Sequence, residues 1–348
     1  MNKYHSLHYY IHNIKASIDC PNDNVRQFIE KSFFFFKKKQ KYKFQINISI
    51  DLSSKKNFAN LSKKINKIGN NILLDKKKLI FQNHGLIYEF INQKKKISVN
   101  VKKQTNSGIF LKSKNIVKKI LFETDVYSIF RQSIILPIIW ILSRKFNIHS
   151  LHGGATSLNR RGYIFSGLAG VAKSNLTLFM TIQNRFKFLS DNFLLFDKNF
   201  IYPFPEWIRV IDDSKKIMPE LNKFFETKKL KRNKKNYYLL PNKLISQKVK
   251  PKIFIFTEIG SKCKLKKIKK DYTIKRILLS KDQVKEFPEQ NFIALLDLLN
   301  QDAKLFRESE LITLKKFLNK TKSFIFTINK NITIKENLEF LIKKTNNV

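Results

Sequence analysis

The amino-acid sequence predicts an α/β protein with a separate N-terminal α+β domain, and three stretches carry this prediction. Residues 44–52, FQINISIDL, alternate apolar and polar side chains with period two, as in a strand with one buried face. Residues 252–259, KIFIFTEI, form an uninterrupted apolar run, typical of a strand buried on both faces of a sheet. Between these stretches, residues 162–183 predict a strand, a glycine-containing loop and a helix in succession.

The length of the chain suits two ordinary domains or one large domain. The chain has 348 residues, of which 43% are hydrophobic, and this is a globular composition. We place the domains at residues 1–118, a variable α+β unit, and 119–348, the α/β unit.

The first domain is predicted to contain mostly strands and one helix. After the strand at 44–52, strands are expected within LIFQNHGLIYEFI at 79–91 and KISVNVK at 96–102. A helix is expected near 24–36, with the FFFF run at 33–36 in the core.

The second domain is predicted to begin with a helical stretch at 119–146, where Pro137 should kink or break the helix. The further predicted elements are a strand at 162–166, a helix at 173–183, a strand at 186–190, an exposed charged loop at 228–236, the buried strand at 252–259, a helix-rich region at 288–320, and a closing strand and helix.

The formal charge of +43, from 69 basic and 26 acidic residues, taken alone suggests a nucleic acid or an anionic membrane as partner. However, only ten of the basic residues are Arg, the residue favoured for bidentate contacts to phosphates and bases. The Lys residues are spread along the chain with abundant Asn, Ile and Phe, all of which have A/T-rich codons. Because a low-GC genome explains this bias, a dedicated nucleic-acid partner is not expected, although weak nonspecific polyanion binding is.

Cys20 and Cys263 form no motif, so neither a disulfide framework nor a cysteine zinc site is expected. The longest apolar run, IILPIIWIL at 134–142, has nine residues and a proline, whereas a membrane span needs about 20 residues. The first 15 residues lack the apolar core of a signal peptide. These features predict a soluble, cytoplasmic protein with no membrane span.

Residues 167–174, GLAGVAKS, have the pattern of a phosphate-binding P-loop at a strand-to-helix junction. In such a loop, backbone N–H groups and the helix N-terminus face the phosphates, the lysine neutralises phosphate oxygens, and the hydroxyl ligates Mg²⁺. The expected nucleotide-binding residues are Gly167, Gly170, Ala172, Lys173 and Ser174. Alanine replaces the motif's last glycine, at a modest cost if the backbone stays in an allowed region. A relic loop is the alternative.

The run LHGGATSLNRRGYIFSGLAGVAKSNLTL…FLSDN resembles the catalytic domain of HPr kinase/phosphorylase and of the HPr-kinase-like proteins. His152 and Gly153 match the family's His-Gly, which lies about twenty residues before the P-loop lysine. Residues 167–174 match its GxxGxGKS loop, and Asp191 matches the first acid of an Asp-Asp pair after the next strand. The resemblance covers roughly residues 130–215.

The resemblance implies a P-loop kinase fold related to phosphoenolpyruvate carboxykinase, with ATP and Mg²⁺ as cofactors. It implies that Ser174 and Asp191 ligate Mg²⁺, and that His152 and Asp191 are catalytic. Phosphoryl transfer is mostly positioning and charge neutralisation, with one carboxylate taking the acceptor proton.

Two departures from the family pattern leave three functions open. Asn192 replaces the second Asp, and YPFPEWIRV at 202–210 replaces a glycine-rich signature. There Glu206 and Arg209 are candidates for a carboxylate and a phosphate-facing guanidinium, although a solvated loop explains them equally well. The leading hypothesis is a kinase acting on a Ser hydroxyl of a protein or on a small-molecule hydroxyl. The alternatives are a noncatalytic ATP-binding accessory protein and a polyanion-binding protein with a vestigial P-loop.

Overall fold

A computed structural model of the chain describes residues 6–63, 65–69, 71–83, 85–105, 126–127, 129–168, 170–182, 186–211, 230–232, 235–283, 295 and 298–346. The chain forms two compact units. Unit 1 comprises Met1–Phe146 and Glu286–Arg307, and unit 2 comprises Asn147–Lys285 and Glu308–Val348. The predicted boundary between residues 118 and 119 lies outside the described residues. The protein is of the mixed α/β class that the sequence predicts.

Unit 1 is built on one mixed sheet. Its described strands are β1 (Leu7–Ile11), β2 (Ile14–Asp19), β3 (Phe44–Lys56), β4 (Lys67–Gly69), β5 (Ile72–Asp75), β6 (Lys78–Asn83), β7 (Leu86–Gln93) and β8 (Lys96–Gln104). The strand order is β1-β2-β3-β8-β7-β6-β5-β4, with β3 parallel to β2 and to β8 and the remaining pairs antiparallel.

The strand predictions for unit 1 are confirmed. In β3, Phe44, Ile46 and Ile48 are buried while Gln45 and Asn47 are half-buried, so the period-two pattern produces one apolar and one polar face. Residues 79–91 contain two strands, β6 and β7, which pair as an antiparallel hairpin. Gly85 in the turn has a φ of 74°, a conformation that glycine adopts without a Cβ penalty.

The first helix, α1 (Asp23–Ser32), ends earlier than the predicted 24–36. Its N-terminus is capped by the Asn22 side chain, which accepts a hydrogen bond from the Val25 amide at 3.1 Å. A short 3₁₀ turn, Phe34–Phe36, follows. The FFFF run is core only in part, because Phe33 and Phe36 are buried but Phe34 is 59% exposed.

The other described helices of unit 1 are α2 (Phe58–Ser62) and α3 (Leu136–Phe146). A π-helical turn, Arg131–Ile135, precedes α3, so the regular helix starts next to Pro137. The π-helical turn departs from the regular i→i−4 hydrogen-bonding pattern, which lets the helix accommodate a residue without an N–H. The helix is therefore irregular before Pro137 but is not broken there, since residues 129–146 are helical throughout; residues 119–125 and 128 lie outside the described part. Among the described residues, no helix is long and apolar enough to cross a membrane.

The described part of unit 2 contains three sheets. Its described strands are β9 (His149–His152), β10 (Gly154–Leu158), β11 (Arg161–Ser166), β12 (Lys187–Ser190), β13 (Phe193–Phe196), β14 (Ile201–Tyr202), β15 (Ile208–Ile211), β16 (Leu230–Arg232), β17 (Lys235–Tyr238), β18 (Lys250–Gly260), β19 (Lys264–Lys267) and β20 (Lys322–Asn329). The largest sheet has the order β12-β10-β11-β18-β20-β19, with β11, β18 and β20 parallel to one another. The smaller sheets are β14-β13-β9 and β15-β17-β16.

Helices cover both faces of the large sheet. They are α4 (Lys173–Ile182), α5 (Lys270–Gln283), α6 (Ala303–Leu318), which starts in unit 1, and α7 (Ile334–Asn346). On one face, Phe165 of β11 belongs to the same core cluster as Leu176 of α4. On the other face, Ile164 belongs to a cluster with Phe317 of α6. In β18, Ile253 and Ile255 belong to the first cluster, and Phe254 and Phe256 belong to the second. This alternation confirms the predicted strand at 252–259, which is buried on both faces of the sheet.

One loop prediction is wrong. Within the charged segment 228–236, β16 and part of β17 form an antiparallel pair. Local charge predicts exposure but not pairing, because a strand is stabilised by partners that are distant in the sequence. Residues 228–229 and 233–234 lie outside the described part.

Candidate functional site

The loop between β11 and α4 spans residues 167–172, and three of its described residues, which exclude residue 169, have positive φ angles. They are 137° at Gly167, 82° at Gly170 and 57° at Ala172. These are the three positions at which a GxxGxGKS loop carries glycine. Ala172 lies in the small left-handed region that L-residues enter at a cost of about 1–2 kcal/mol. The loop therefore holds the glycine-type backbone even where the sequence has alanine.

The beginning of this loop is packed against the end of β18. A Cβ atom built on Gly167 would lie 3.0 Å from the carbonyl oxygen of Thr257. The Thr257 hydroxyl donates a hydrogen bond to the carbonyl oxygen of Ser166 at 3.4 Å. The absence of a side chain at position 167 thus allows the loop to leave the sheet close to the neighbouring parallel strand.

Lys173 is the first residue of α4, and its ammonium group turns back into the loop. Its Nζ atom donates hydrogen bonds to the carbonyl oxygens of Gly167 at 3.0 Å and of Leu168 at 2.5 Å. The side chain is buried, which lowers its pKa, while the Asp191 carboxylate opposes this shift. The loop therefore encloses a cation at the N-terminus of a helix, where backbone N–H groups also attract anions.

Asp191 directly follows β12 and lies beside the start of α4. The Ser174 hydroxyl lies close enough to its carboxylate to favour a lower Asp191 pKa. Burial raises the pKa of Asp191 to about 6, whereas the Ser174 hydroxyl and the Lys173 ammonium favour the ionised form. Its Oδ1 atom is buried, and no hydrogen bond to that atom is seen within the described part of the chain.

The oxygens of Ser174 and Asp191 fit a magnesium ion that is shared with phosphates. Magnesium in nucleotide sites is held by one or two protein oxygens, with water and substrate phosphates completing its coordination. The buried Oδ1 atom of Asp191 is a suitable anionic ligand of this kind. Among the described residues, no group of three or more His, Cys, Asp or Glu side chains could hold a metal by itself.

Hydrogen bonds and strand pairing place His152 and Gly153 next to Asn192 and next to the end of β11. The Gly153 amide donates to the carbonyl oxygen of Asn192 at 3.3 Å, and β9 pairs with β13 so that His152 lies opposite Phe193. The Ser166 hydroxyl donates to the carbonyl oxygen of His152 at 3.2 Å. The three predicted parts of the site are therefore linked by hydrogen bonds to main-chain carbonyl oxygens. Gly153 of the His-Gly pair bonds to Asn192 of the Asp-Asn pair, and Ser166, directly before the loop, bonds to His152.

Two consecutive glycines make this close packing possible. A Cβ atom on Gly153 would lie 2.4 Å from the carbonyl oxygen of Phe165 in β11. A Cβ atom on Gly154 would lie 2.2 Å from the Thr177 hydroxyl oxygen in α4. Both distances are far inside van der Waals contact, so the turn from β9 to β10 needs two residues without side chains. Sequence reasoning did not single out Gly154, although the double glycine next to His152 was the available signal.

The segment 202–210 is not the solvated loop that the sequence analysis offered as one explanation of Glu206 and Arg209. Glu206 is 4% exposed, between the buried Phe204 and Trp207, so a solvated loop does not describe it. The Phe204 amide donates to the carbonyl oxygen of Leu189 at 2.9 Å, which places this segment beside β12. Arg209 lies in β15 opposite Tyr237, and its side chain is outside the described part.

No family model, curated protein or solved structure matches this chain.

Proposed function

We propose that unit 2 binds ATP with Mg²⁺ at residues 167–174 and transfers the γ-phosphate to a Ser hydroxyl of a protein or to a small-molecule hydroxyl. The proposed fold is that of the P-loop kinases of the HPr kinase and phosphoenolpyruvate carboxykinase type, and the proposed location is the cytoplasm. The observation that carries the proposal is the positive φ angle at all three glycine positions of a GxxGxGKS loop, including Ala172. Lys173 and Ser174 follow at a strand-to-helix junction, as phosphate binding requires.

Each residue of the site then has a defined part in binding. The loop amides and the N-terminus of α4 bind phosphate oxygens, because unpaired N–H groups and the helix dipole favour an anion there. Lys173 exchanges its contacts with the carbonyls of Gly167 and Leu168 for phosphate oxygens. Ser174 and Asp191 hold the metal ion, which neutralises charge that develops on the phosphates.

For transfer, Asp191 is the available carboxylate next to the phosphate site, and His152 lies on the adjoining strand β9. A carboxylate whose pKa is close to 6 is ionised at neutral pH and can accept the proton of an attacking hydroxyl. His152 is proposed to orient the acceptor beside it.

Equilibrium binding of a fluorescent ATP analogue in the presence of Mg²⁺ tests the first step. Lys173→Ala should weaken binding at least about tenfold, since it removes the cation that faces the phosphates. Lys187→Ala is the matched control, because that exposed lysine of β12 lies outside the loop. If the wild type and Lys173→Ala bind equally poorly, the proposal is overturned.

A transfer assay with γ-labelled ATP and cell extract tests the second step. Label should enter an acid-stable acceptor with the wild type and not with Asp191→Ala. Undiminished transfer by Asp191→Ala would remove this residue from the mechanism while leaving nucleotide binding in place.

A noncatalytic ATP-binding accessory protein is the second candidate, and Asn192 favours it. The amide of Asn192 can accept a hydrogen bond but supplies no second negative charge beside Asp191. Saturable binding of the ATP analogue with no transfer to extract and no ATP hydrolysis would select this function.

A further inference from the structure

The polar face of the unit 1 sheet carries a row of aligned side chains that the proposed kinase site does not use. Cross-strand pairing places Tyr10 opposite Lys15, Lys15 opposite Gln45, and Gln45 opposite Lys96. These four residues lie on neighbouring strands, so the row is about 14 Å long at a strand spacing of about 4.8 Å. A second row on the same face runs parallel to it through His8, Ser17, Asn47 and Ser98.

At one end of this face, two tyrosine rings and a lysine form a cluster with exposed aromatic surface. The rings of Tyr10 and Tyr42 have centroids 6.2 Å apart and are tilted by 49°. The Nζ atom of Lys15 lies 5.8 Å from the centroid of the Tyr42 ring. Tyr42 is 46% exposed, and Tyr10 and Lys15 are half-buried. An exposed tyrosine beside a cation offers a planar surface for stacking and a positive charge in one place.

The segment that carries Tyr42 is strongly basic. Residues 37–43, KKKQKYK, are all exposed, and no Asp or Glu occurs from residue 31 to residue 50. The carboxylates of the same face lie away from the tyrosines, because Asp19 follows Lys15 by four residues along β2 and Asp51 follows Gln45 by six residues along β3. Glu89 is paired with Lys56 and Lys78. The tyrosine end of the face is therefore positively charged.

The two rows also carry hydrogen-bonding groups suited to base edges and sugars. The Gln45 side-chain amide donates to the Asn47 side-chain oxygen at 2.7 Å, and His8 lies 3.2 Å from the Ser17 hydroxyl. The first contact joins two side chains of β3, and the second joins β1 to β2. Ligands with an anionic backbone and flat, hydrogen-bonding rings match this combination of lysine, tyrosine and amide groups.

We propose that this face of unit 1, defined by Tyr10, Lys15, Tyr42, Gln45 and the 37–43 segment, binds single-stranded nucleic acid. The bases stack on the two tyrosines, and the lysines of residues 37–43 contact phosphates. A duplex is excluded as the main ligand because its bases are already stacked on one another. Composition alone favours no dedicated nucleic-acid partner, whereas the positions of these tyrosines and lysines on one face favour a single strand.

Fluorescence anisotropy with a labelled uridine RNA of about 15 nucleotides, at roughly 150 mM salt, tests this proposal. Tyr42→Ala should weaken binding about tenfold, and Tyr42→Phe should stay within about twofold of the wild type, because stacking needs the ring and not the hydroxyl. The double variant Lys38→Ala/Lys39→Ala should have a smaller slope of log Kd against log salt concentration than the wild type. The slope should fall by about 1.4, because each phosphate that the protein no longer neutralises contributes about 0.7.

The charge-matched control is the pair Lys264→Ala and Lys266→Ala in β19, two exposed lysines of unit 2. These changes should leave RNA affinity within about twofold of the wild type if the face is the binding site. An equal loss in this control, or unchanged binding by Tyr42→Ala, would show a diffuse charge effect and overturn the proposal. No binding by the wild type at this salt, or tighter binding of duplex RNA, would overturn it as well.

Crosslinking supplies a test that needs no variant. Irradiation of the wild type with 4-thiouridine RNA, followed by peptide mapping, should place crosslinks on Tyr10 or Tyr42. Crosslinks confined to lysine-rich segments elsewhere in the chain would contradict the proposal. Tyr42→Ala should bind the ATP analogue as the wild type does, so failure of this proposal is distinguishable from failure of the kinase proposal.

Discussion

The amide of Gly153 donates a hydrogen bond to the carbonyl oxygen of Asn192, and this 3.3 Å contact joins two segments that are 39 residues apart (192 − 153). It brings the residue after His152 against the residue after Asp191. Ser166, the last residue before the loop, is bonded to the carbonyl oxygen of His152 in turn. The geometry of the candidate site therefore depends on one main-chain hydrogen bond and on the Ser166 hydroxyl, both of which substitutions of His152, Lys173 or Asp191 would leave in place.

Replacing Ala172 with glycine should stabilise the protein. Ala172 has a φ of 57°, and glycine adopts this conformation without a Cβ penalty. The expected gain is about 0.5–1 kcal/mol in the free energy of unfolding, after the greater entropy of glycine in the unfolded chain is subtracted. Urea denaturation measures it, and nucleotide affinity should not fall.

Ala172→Val is the opposing control at the same position. A β-branched residue at positive φ is a conformational outlier, so this change should cost about 1 kcal/mol or more. Equal effects of glycine and valine would contradict the strained conformation.

Gly154→Ala should destabilise unit 2, and Thr177→Ala should restore much of the loss. The added methyl group would meet the Thr177 hydroxyl oxygen at 2.2 Å, and overpacking of this kind costs about 1–3 kcal/mol. Removing that hydroxyl relieves the overlap, which a double-mutant cycle by thermal unfolding would show as a favourable coupling energy.

Gly153→Ala is the matched comparison. Its methyl group would meet the backbone carbonyl of Phe165 at 2.4 Å, and Thr177→Ala cannot remove that atom. Rescue of Gly153→Ala by Thr177→Ala would show that the assigned collision is wrong.

The stability contributed by Asp191 should fall as the pH rises. Burial raises its pKa from the ordinary value of 3.8 to about 6, so the folded protein holds this proton more tightly than the unfolded chain does. This contribution is complete below the unfolded pKa and is lost as the pH rises through the folded pKa. Asp191→Asn, which has no proton to lose, should therefore gain stability over the wild type by roughly 1–3 kcal/mol between about pH 4 and pH 7.5.

Urea unfolding without Mg²⁺ and nucleotide measures this difference. Glu339→Gln, which changes an exposed carboxylate of α7, controls for the loss of one negative charge. A stability difference between Asp191→Asn and the wild type that does not change with pH would contradict the raised pKa.

Asn192→Asp should lower the Mg²⁺ concentration that is needed for half-maximal nucleotide binding. The change adds a second carboxylate beside Asp191 and leaves the backbone bond from Gly153 in place. One more anionic oxygen near the metal should lower the Mg²⁺ concentration at half-saturation by several-fold, roughly 1 kcal/mol of added attraction. Titration of Mg²⁺ at fixed ATP analogue measures it.

Asn159→Asp adds the same charge at an exposed turn between β10 and β11 and should have no effect on that titration. An equal response of both variants would show that only the net charge matters, and that position 192 does not face the metal.

Much of the fold of unit 2 follows from short-range patterns. The strand at 161–166, the helix from Lys173 and the doubly buried strand β18 are all encoded by apolar periodicity and by the loop motif between them. By contrast, β9, β13 and β14 are short, and the pairing of β16 with β17 lies inside a segment whose charge favours a loop. Such strands are defined by their partners and not by their own residues.

The amino-acid sequence specifies the chemical groups of the candidate site: the loop, Lys173, Ser174, Asp191 and the preceding His-Gly pair. Folding brings these groups together, buries Glu206 and gives Ala172 its glycine-like conformation. Folding also places Tyr10 beside Tyr42 in unit 1. Side-chain chemistry and periodicity are local, whereas burial, close approach and strand pairing depend on residues far apart in the chain, so these features do not follow from local patterns.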